Sequence, residues 1–223
     1  MNRKELKREA KKSFKSNYWR CILSSLILNF ALGTTLTYVH NAITNHLDKS
    51  SQMTNNIRLF AILNALSVSI IIITFLIRRL VLSPLYVGAQ NFFLVNSFKK
   101  AHLYELVAGF KRNYKNVVWT MFLHDLYIAL WTCLLIIPGI IKCYSYRMVP
   151  FILAENPRMP SNQIIQQSKK MMNGHKLETF LLDLSFIGWE FLSIITLGIV
   201  RVLWTEPYYF QTNTKLYKSL KEY

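Results

Sequence analysis

Acidic residues and cysteines are scarce in this chain of 223 residues. It has 11 Asp and Glu against 27 Lys and Arg, which gives a formal net charge of +16. The three cysteines, Cys21, Cys133 and Cys143, all lie inside apolar runs, so they are interpreted as small hydrophobic residues and a disulfide scaffold is excluded. There is no nucleophile elbow, phosphate-binding loop, metalloprotease histidine pair or Cys-x-x-Cys motif. We therefore expect no catalytic residue, no cofactor and no bound metal.

Apolar residues are abundant despite the high charge. They make up 52% of the chain, and the mean hydropathy is +0.21. A soluble nucleic-acid-binding protein of this charge is rarely so apolar, and no recognition motif accompanies the basic residues, so we expect no nucleic-acid partner. The two properties are compatible when apolar and basic residues occupy separate segments, which is typical of a membrane protein.

Several apolar runs are long enough to cross a bilayer, which needs about 20 residues at about 1.5 Å each. In chain order, the candidate spans are residues 19–39, 59–77, 117–137, 140–154, 177–197 and 199–216. The fourth and sixth runs are less apolar, or shorter, and contain charged residues, so either could instead be an interfacial segment. Residues 1–18 form a basic amphipathic segment, and we interpret the run after it as an uncleaved span, with a cleaved signal peptide as the alternative.

The distribution of Lys and Arg predicts the orientation. Most of them precede the first span, lie between the second and third spans, precede the fifth span, or follow the sixth. Since Lys and Arg prefer the cytoplasmic side, all four segments lie there only if both weaker runs cross. We therefore predict an all-α transmembrane bundle of six spans in three helical hairpins, with both termini in the cytoplasm. The alternative has four or five crossings, with the weaker runs re-entrant.

The predicted domains are a cytoplasmic helix over residues 1–18 and one membrane-embedded domain over residues 19–223. In the helix, Leu6, Ala10 and Phe14 form an apolar stripe among basic residues, which suits a helix lying on an anionic membrane surface. The expected partner is thus the bilayer, with anionic lipids at the cytoplasmic face, and a membrane-protein partner is compatible with this arrangement. The oligomeric state is left open.

Three further segments show local patterns. Residues 82–98 are predicted either to dip into the membrane or to extend the second span. A helix is predicted to begin with Ser161 as its N-cap and to end at Gly174. A weak internal repeat relates the segment 14–18 to 110–114, and also relates the Pro-Leu-Tyr of residues 84–86 to the Pro-Tyr-Tyr of residues 207–209.

Charged side chains inside the spans are costly and are expected to face the bundle interior. With a turn at Pro138-Gly139, we predict that Arg147 pairs with Glu190, Glu206 or both. A role in fixing helix register is favoured over a transport or ligand site. The candidate intramembrane polar residues are Asp125, Lys142, Arg147, Asp183, Glu190, Arg201 and Glu206.

Histidine gives weaker signals in two places. His40, His46 and Asp48 share the first outer loop but match no standard metal-site spacing, and they are interpreted as solvated loop residues. His124 and Asp125 are neighbours about 100° apart on a helix, so they are not expected to face one point, which argues against an intramembrane enzyme.

A longer set of motifs carries a family resemblance. Pro138-Gly139-Ile140-Ile141-Lys142, the segments 150–157 and 168–176, and Pro207-Tyr208 resemble the domain-of-unknown-function 975 family of bacterial integral membrane proteins. Arg147 departs from the pattern, where a small polar residue is expected. The resemblance implies a bacterial cell-membrane protein and no assigned activity. The family is also similar to the membrane domain of some glycerophosphodiester phosphodiesterases, whose catalytic domain is not found in these residues.

Two functions follow as hypotheses. The first is a non-enzymatic membrane component that binds a lipid, a peptide or another membrane protein, and the alternative is a small transporter or channel that uses the mid-membrane charges. A continuous polar cavity reaching Arg147 would favour transport, whereas a closed bundle would favour binding.

Overall fold

The computed structural model describes residues 3–28 and 57–221. All the regular secondary structure in these two ranges is helical. The α-helices are α1 (Arg3–Ser16), α2 (Tyr18–Leu28), α3 (Ile57–Ile77), α4 (Ser83–Asn96), α5 (Ala108–Lys111), α6 (Tyr114–Leu134), α7 (Ile136–Tyr146), α8 (Val149–Glu155), α9 (Ser161–Met171), α10 (Lys176–Leu184), α11 (Ile187–Ile195) and α12 (Glu206–Lys221). Two π-helical turns, Arg78–Leu82 and Arg201–Thr205, and a 3-10 turn, Leu103–Val107, complete the described elements.

Three helical segments are long and apolar enough to cross a membrane. They are Val68–Asn96, Tyr114–Leu134 and Ile136–Glu155, and α2 is a shorter apolar helix. The third segment contains the weaker predicted run 140–154. The predicted span 177–197 is interrupted between α10 and α11, and the run 199–216 begins with a π-helical turn. The all-helical fold with three candidate spans is thereby established, and much of the first predicted span lies outside the described residues.

Helix α4 extends the second predicted span, which was one of the two alternatives for residues 82–98. The π-helical turn Arg78–Leu82 joins α3 to α4 without a break. Most of α4 is buried, and it packs against α8, α12, α5 and the 3-10 turn. The segment therefore forms the centre of the protein core.

Helix α1 directs its apolar stripe at protein and not at lipid, which corrects the interpretation as a membrane-surface helix. Leu6 is 6% exposed, and Ala10 and Phe14 are fully buried, because α1 packs along α12. The hydroxyl of Tyr208 on α12 donates to the carbonyl of Lys7 at 3.3 Å. Burial, and to a smaller extent the charge of Arg3, lowers the pKa of Lys7. An amphipathic pattern fits a membrane surface and a protein surface equally well, so the sequence did not distinguish them.

A proline begins each of the helices α4, α8 and α12. Pro84 and Pro150 lie in the first turns of α4 and α8, and Pro207 is the second residue of α12. Proline suits the start of α8 because the first N–H groups of a helix have no intrahelical acceptor, whereas Pro84 and Pro207 follow π-helical turns and leave a carbonyl of the preceding turn without its usual donor. The carbonyl of Leu80, four residues before Pro84, accepts a hydrogen bond from the Tyr114 hydroxyl at 2.8 Å.

The weak sequence repeat corresponds to repeated local structure. Asn17 separates α1 from α2, and Arg112 and Asn113 separate α5 from α6, so that Tyr18 and Tyr114 each begin an apolar helix. The side-chain amides of both asparagines donate to backbone carbonyls distant in sequence. The repeated motif thus marks the entry to an apolar helix.

The turn between α6 and α7 lies earlier than predicted. Leu135 has an extended backbone (φ −158°, ψ 138°) and alone separates the two helices, whereas Pro138 and Gly139 belong to the first turns of α7. A Cβ atom on Gly139 would lie 2.6 Å from Thr132 Oγ1. Gly139 therefore permits close packing of α6 against α7 instead of forming the turn.

Helix α9 covers Ser161–Met171, and Gly174, with a φ of +81°, follows its end. The N-cap is Pro160, so Ser161 is the first helical residue and not the cap that was predicted, and its hydroxyl lies 2.8 Å from the Thr120 hydroxyl on α6. The predicted apolar face is buried; its members are Ile164, Ile165, Ser168 and Met172.

Asn96 connects several of these elements through buried hydrogen bonds. Its Oδ1 accepts from Asn17 Nδ2 at 2.9 Å, and its Nδ2 lies within donating distance of Gln211 Oε1 at 3.2 Å and of the Ser13 carbonyl at 3.1 Å. We expect Asn96→Leu to lower the free energy of unfolding by about 2–3 kcal/mol, because the buried amides of Asn17 and Gln211 lose a partner.

Thermal unfolding in detergent, followed by circular dichroism, measures the effect of Asn96→Leu. Asn162→Leu is the matched control, since Asn162 is exposed on α9. An equal loss of stability in both variants would show that the buried hydrogen bonds are not responsible.

Candidate functional site

A partly buried polar cluster surrounds Arg147 and Asp183. Arg147 Nη1 donates to Asp183 Oδ2 at 2.6 Å and Nη2 donates to Oδ1 at 2.7 Å, so the pair is bidentate. Nη2 also donates to the Tyr209 hydroxyl at 2.8 Å and to Asn213 Oδ1 at 2.6 Å. The hydroxyls of Tyr144 and Tyr209 donate to Asp183 at 2.9 and 3.1 Å. Each carboxylate oxygen of Asp183 therefore accepts two hydrogen bonds.

Separate parts of the chain supply this cluster. Tyr144 lies on α7, Arg147 lies at the break before α8, and Asp183 lies near the end of α10. Tyr209 and Asn213 are four residues apart on α12 and so share one helix face. The side chains of Arg147 and Asp183 are 16% and 23% exposed. A charged pair that is this well satisfied joins α7, α10 and α12 in a fixed arrangement.

The predicted pairing of Arg147 with Glu190 or Glu206 is wrong. The prediction measured depth from Gly139, but α7 begins at Ile136, so Arg147 lies twelve residues after the turn at Leu135, or about 18 Å. Glu190 is only seven residues before Leu197, or about 10 Å, which leaves it at a different level. Asp183 lies further from Leu197, on α10 before the break that separates α10 from α11, and its contact with Arg147 puts the two residues at one level.

A second cluster joins the π-helical turn after α3 to helix α6. Arg79 Nη1 donates to Asp125 Oδ2 at 2.7 Å, and the guanidinium lies 5.5 Å from the centre of the Phe122 ring. His124 Nδ1 lies 2.8 Å from Asp125 Oδ1. The expectation that His124 and Asp125 face different points is therefore wrong, because both side chains are long enough to meet beside the helix.

The remaining candidate residues lie apart from these two clusters. Arg201 Nε donates to Glu206 Oε1 at 2.8 Å, and Glu206 Oε2 is buried without a hydrogen-bond partner in the described ranges. The ammonium of Lys142 lies 4.5 Å from the centre of the Trp131 ring, and Glu190 is exposed. The seven predicted residues thus do not form one site.

Sequence reasoning missed several members of the clusters. Tyr144, Tyr209 and Asn213 were not candidates, although the spacing of Tyr209 and Asn213 on one helix face was available as a signal. Arg79 was counted with the cytoplasmic charges because it follows the apolar run directly. The π-helical turn brings Arg79 to Asp125, and a π-helical turn has no strong sequence signature.

Two open clefts are lined by segments that were predicted to be cytoplasmic. The larger has a volume of about 750 Å³ and is lined by Lys111, Arg112, Asn113, Glu155, Asn156, Pro157, Arg158, Met159 and Gln163. The smaller has a volume of about 560 Å³ and is lined by Glu9, Lys12, Ser13, Ser16, Asn96, Ser97, Phe98, Lys99, Lys100 and Lys215. Arg147 and Asp183 line neither of these clefts.

No group of three or more His, Cys, Asp or Glu side chains suited to a metal ion occurs in residues 3–28 or 57–221. His40, His46 and Asp48, which were considered as metal ligands, lie outside the described residues.

Comparison with known proteins covers the C-terminal part of the chain. Residues 133–223 match the model of a family described as "Protein of unknown function (DUF975)". This match supports the resemblance noted in the sequence and assigns no activity. No curated protein and no solved structure matches the chain.

Proposed function

We propose that this chain is a non-enzymatic multi-pass protein of a bacterial cell membrane that binds an anionic partner at its cytoplasmic face. It has six spans in three hairpins, with both termini in the cytoplasm. The partner is a lipid, a peptide or another membrane protein. The bacterial location follows from the family resemblance, and the six spans follow from the distribution of Lys and Arg.

One observation carries the proposal. The basic segments that were predicted from their Lys and Arg content to be cytoplasmic contact one another. Lys215 on α12 pairs with Glu9 on α1 at 3.4 Å, and Lys221 pairs with Glu155 on α8 at 2.6 Å. The side-chain amide of Asn116 donates to the carbonyls of Pro157 and Met159, both at 2.9 Å. These contacts support the placement of the basic segments on one side of a membrane, which agrees with the positive-inside rule.

The polar clusters support binding over transport. Arg147 and Asp183 use their hydrogen-bonding capacity on each other and on Tyr144, Tyr209 and Asn213. A transport site exchanges its ligand with water and so needs polar groups that are free to bind it. A saturated pair instead suits a structural role in a bundle whose cytoplasmic surface does the binding.

Cysteine labelling tests the topology. Single cysteines are introduced as Lys100→Cys, Asn162→Cys, Leu135→Cys and Leu197→Cys in a Cys133→Ser/Cys143→Ser background, with buried Cys21 retained. Intact cells are treated with a membrane-impermeant maleimide. We expect labelling at residues 135 and 197 only, and labelling at residues 100 and 162 only after the membrane is opened.

Each departure from that pattern has a defined meaning. If residues 135 and 197 are protected from both sides, the weaker runs are re-entrant and the six-span arrangement is wrong. If residue 100 or 162 is labelled in intact cells, the orientation is wrong. A permeant maleimide applied to the same cells confirms that each cysteine is reactive.

A further inference from the structure

The larger cleft is formed by two segments that are far apart in sequence. One wall is Lys111, Arg112 and Asn113, between α5 and α6, and the other is the connection between α8 and α9, which contains Arg158. The amide of Asn113 donates to the Pro157 carbonyl at 3.2 Å and so joins the walls. Asn113 adopts a left-handed backbone (φ 51°), which turns the chain into α6 at this point. The cleft is therefore a fixed feature of the fold.

The charge of this cleft is uncompensated. Lys111, Arg112 and Arg158 are exposed, and in the described part of the chain none of them has an ion pair or a side-chain hydrogen bond. The one carboxylate in the lining, Glu155, accepts from Lys221 Nζ at 2.6 Å and from the Tyr217 hydroxyl at 2.7 Å. Three cations thus face an open space of about 750 Å³ with no neutralising partner.

The smaller cleft is also basic. Its Lys215 pairs with Glu9, but Lys12, Lys99 and Lys100 line it as well. The larger cleft is the better phosphate site of the two because it contains two arginines, whose paired N–H donors match phosphate oxygens, whereas the smaller cleft contains only lysines as cations.

We propose that the cleft between Lys111, Arg112 and Arg158 binds the phosphate of an anionic phospholipid from the cytoplasmic leaflet. Lysine supplies a point charge, and arginine supplies paired N–H donors that match phosphate oxygens. This proposal rests on the proposed function, because the orientation given there brings these residues to the cytoplasmic leaflet.

The position of the cleft along the chain favours a lipid over a soluble phosphate. Its Lys111–Asn113 wall directly precedes Tyr114, the first residue of the apolar helix α6. Trp119, 56% exposed on α6, lies five residues after Tyr114, or about 7.5 Å further along the helix at about 1.5 Å per residue. Tryptophan is enriched where a helix enters the hydrocarbon, so the cleft lies at the headgroup level. A phosphate bound at this level can remain attached to its acyl chains.

Native mass spectrometry of the full chain in a zwitterionic detergent tests the site. The protein is titrated with dioleoyl phosphatidylglycerol, and dioleoyl phosphatidylcholine serves as the zwitterionic reference. We expect one saturable phosphatidylglycerol site. Each cation beside an anionic headgroup contributes roughly fivefold in affinity, so Lys111→Gln/Arg112→Gln/Arg158→Gln weakens binding by about a hundredfold at low salt.

A control variant removes the same charge elsewhere. Lys4→Gln/Lys15→Gln/Lys170→Gln changes three exposed cations away from the cleft, and we expect at most about a twofold effect. Arg112→Lys/Arg158→Lys keeps the charge and is expected to retain most of the affinity. Circular dichroism of each variant verifies folding. Equal binding by the cleft variant and the control would overturn the proposal.

Inorganic phosphate distinguishes the two sources of the ligand. We expect that millimolar phosphate does not displace bound phosphatidylglycerol, because the acyl chains contribute to its binding. Complete displacement by phosphate would overturn the lipid assignment in favour of a soluble ligand. The cysteine-labelling experiment tests the proposed function separately. Labelling of residue 162 in intact cells would show the opposite orientation, whatever the lipid titration gives.

Discussion

Replacing Arg147 with methionine is expected to lower the free energy of unfolding by about 3–5 kcal/mol. The change leaves the Asp183 carboxylate largely buried without its cation, although Tyr144 and Tyr209 still donate to it. Asp183→Leu is expected to have an effect of similar size, because it leaves the guanidinium of Arg147 without its bidentate partner. Thermal unfolding in detergent, followed by circular dichroism, measures both losses.

The double variant Arg147→Met/Asp183→Leu is expected to recover most of the lost stability. Removing both charges removes the desolvation cost of each, so the double loss is well below the sum of the single losses. Arg8→Met is the matched control, since Arg8 also pairs with a carboxylate, that of Glu5, but the two side chains are 79% and 54% exposed, and we expect a loss below about 1 kcal/mol. Additive single losses would show that Arg147 and Asp183 are not energetically coupled.

The same double variant separates a structural role from a functional one. If the pair only fixes helix register, the folded double variant binds phosphatidylglycerol as tightly as the unchanged protein. A folded double variant that has lost this binding would show that Arg147 and Asp183 contribute to the function directly. This outcome would revive the hypothesis of a ligand or transport site.

Local patterns in the sequence predicted most of the helices, whereas the contacts between helices were harder to predict. The apolar spacing in α1 and α9 gave their buried faces correctly, because each depends only on neighbours within the same helix. The partner of Arg147 depended on where α7 begins, and an error of a few residues there changed the depth estimate by several Å. An error in the predicted position of a turn therefore changes which residues of two helices are predicted to pair.

Two features of the polar clusters had no usable sequence signal. The π-helical turn that positions Arg79 covers Arg78–Leu82, and no residue within it distinguishes a π-helical turn from a turn of α-helix. The surface that the apolar stripe of α1 contacts also depends on tertiary structure, since the stripe packs against α12 and not against the membrane. In both cases the deciding contact is made by a distant segment.

Gly88→Ala is expected to destabilise the protein by at least about 3 kcal/mol, which exceeds the usual cost of one added methyl group. A Cβ atom on Gly88 would lie 1.8 Å from the carbonyl oxygen of Leu106. A Cβ atom on Gly109 would likewise lie 2.0 Å from the carbonyl oxygen of Pro84. Both contacts involve backbone atoms, so no side-chain rotation relieves them, and α4 must separate from the 3-10 turn and α5.

The control for this change is Gly188→Ala on α11. A Cβ atom at Gly188 would meet nothing within 4 Å, so the alanine is expected to stabilise the helix by about 0.5–1 kcal/mol. The midpoint of thermal unfolding should therefore move in opposite directions in the two variants. Stabilisation of both variants would show that the close approach of two backbones at residue 88 does not limit the stability of the fold.

Gly109→Ala extends the same test to the proposed lipid site. Gly109 lies in α5, and Lys111 and Arg112, which form one wall of the larger cleft, follow it within three residues. Moving α5 away from Pro84 shifts this wall relative to Arg158 on the other side. We therefore expect Gly109→Ala to lose stability and, in the fraction that remains folded, to bind phosphatidylglycerol more weakly. Unchanged affinity in that fraction would show that the spacing of the two walls does not control binding.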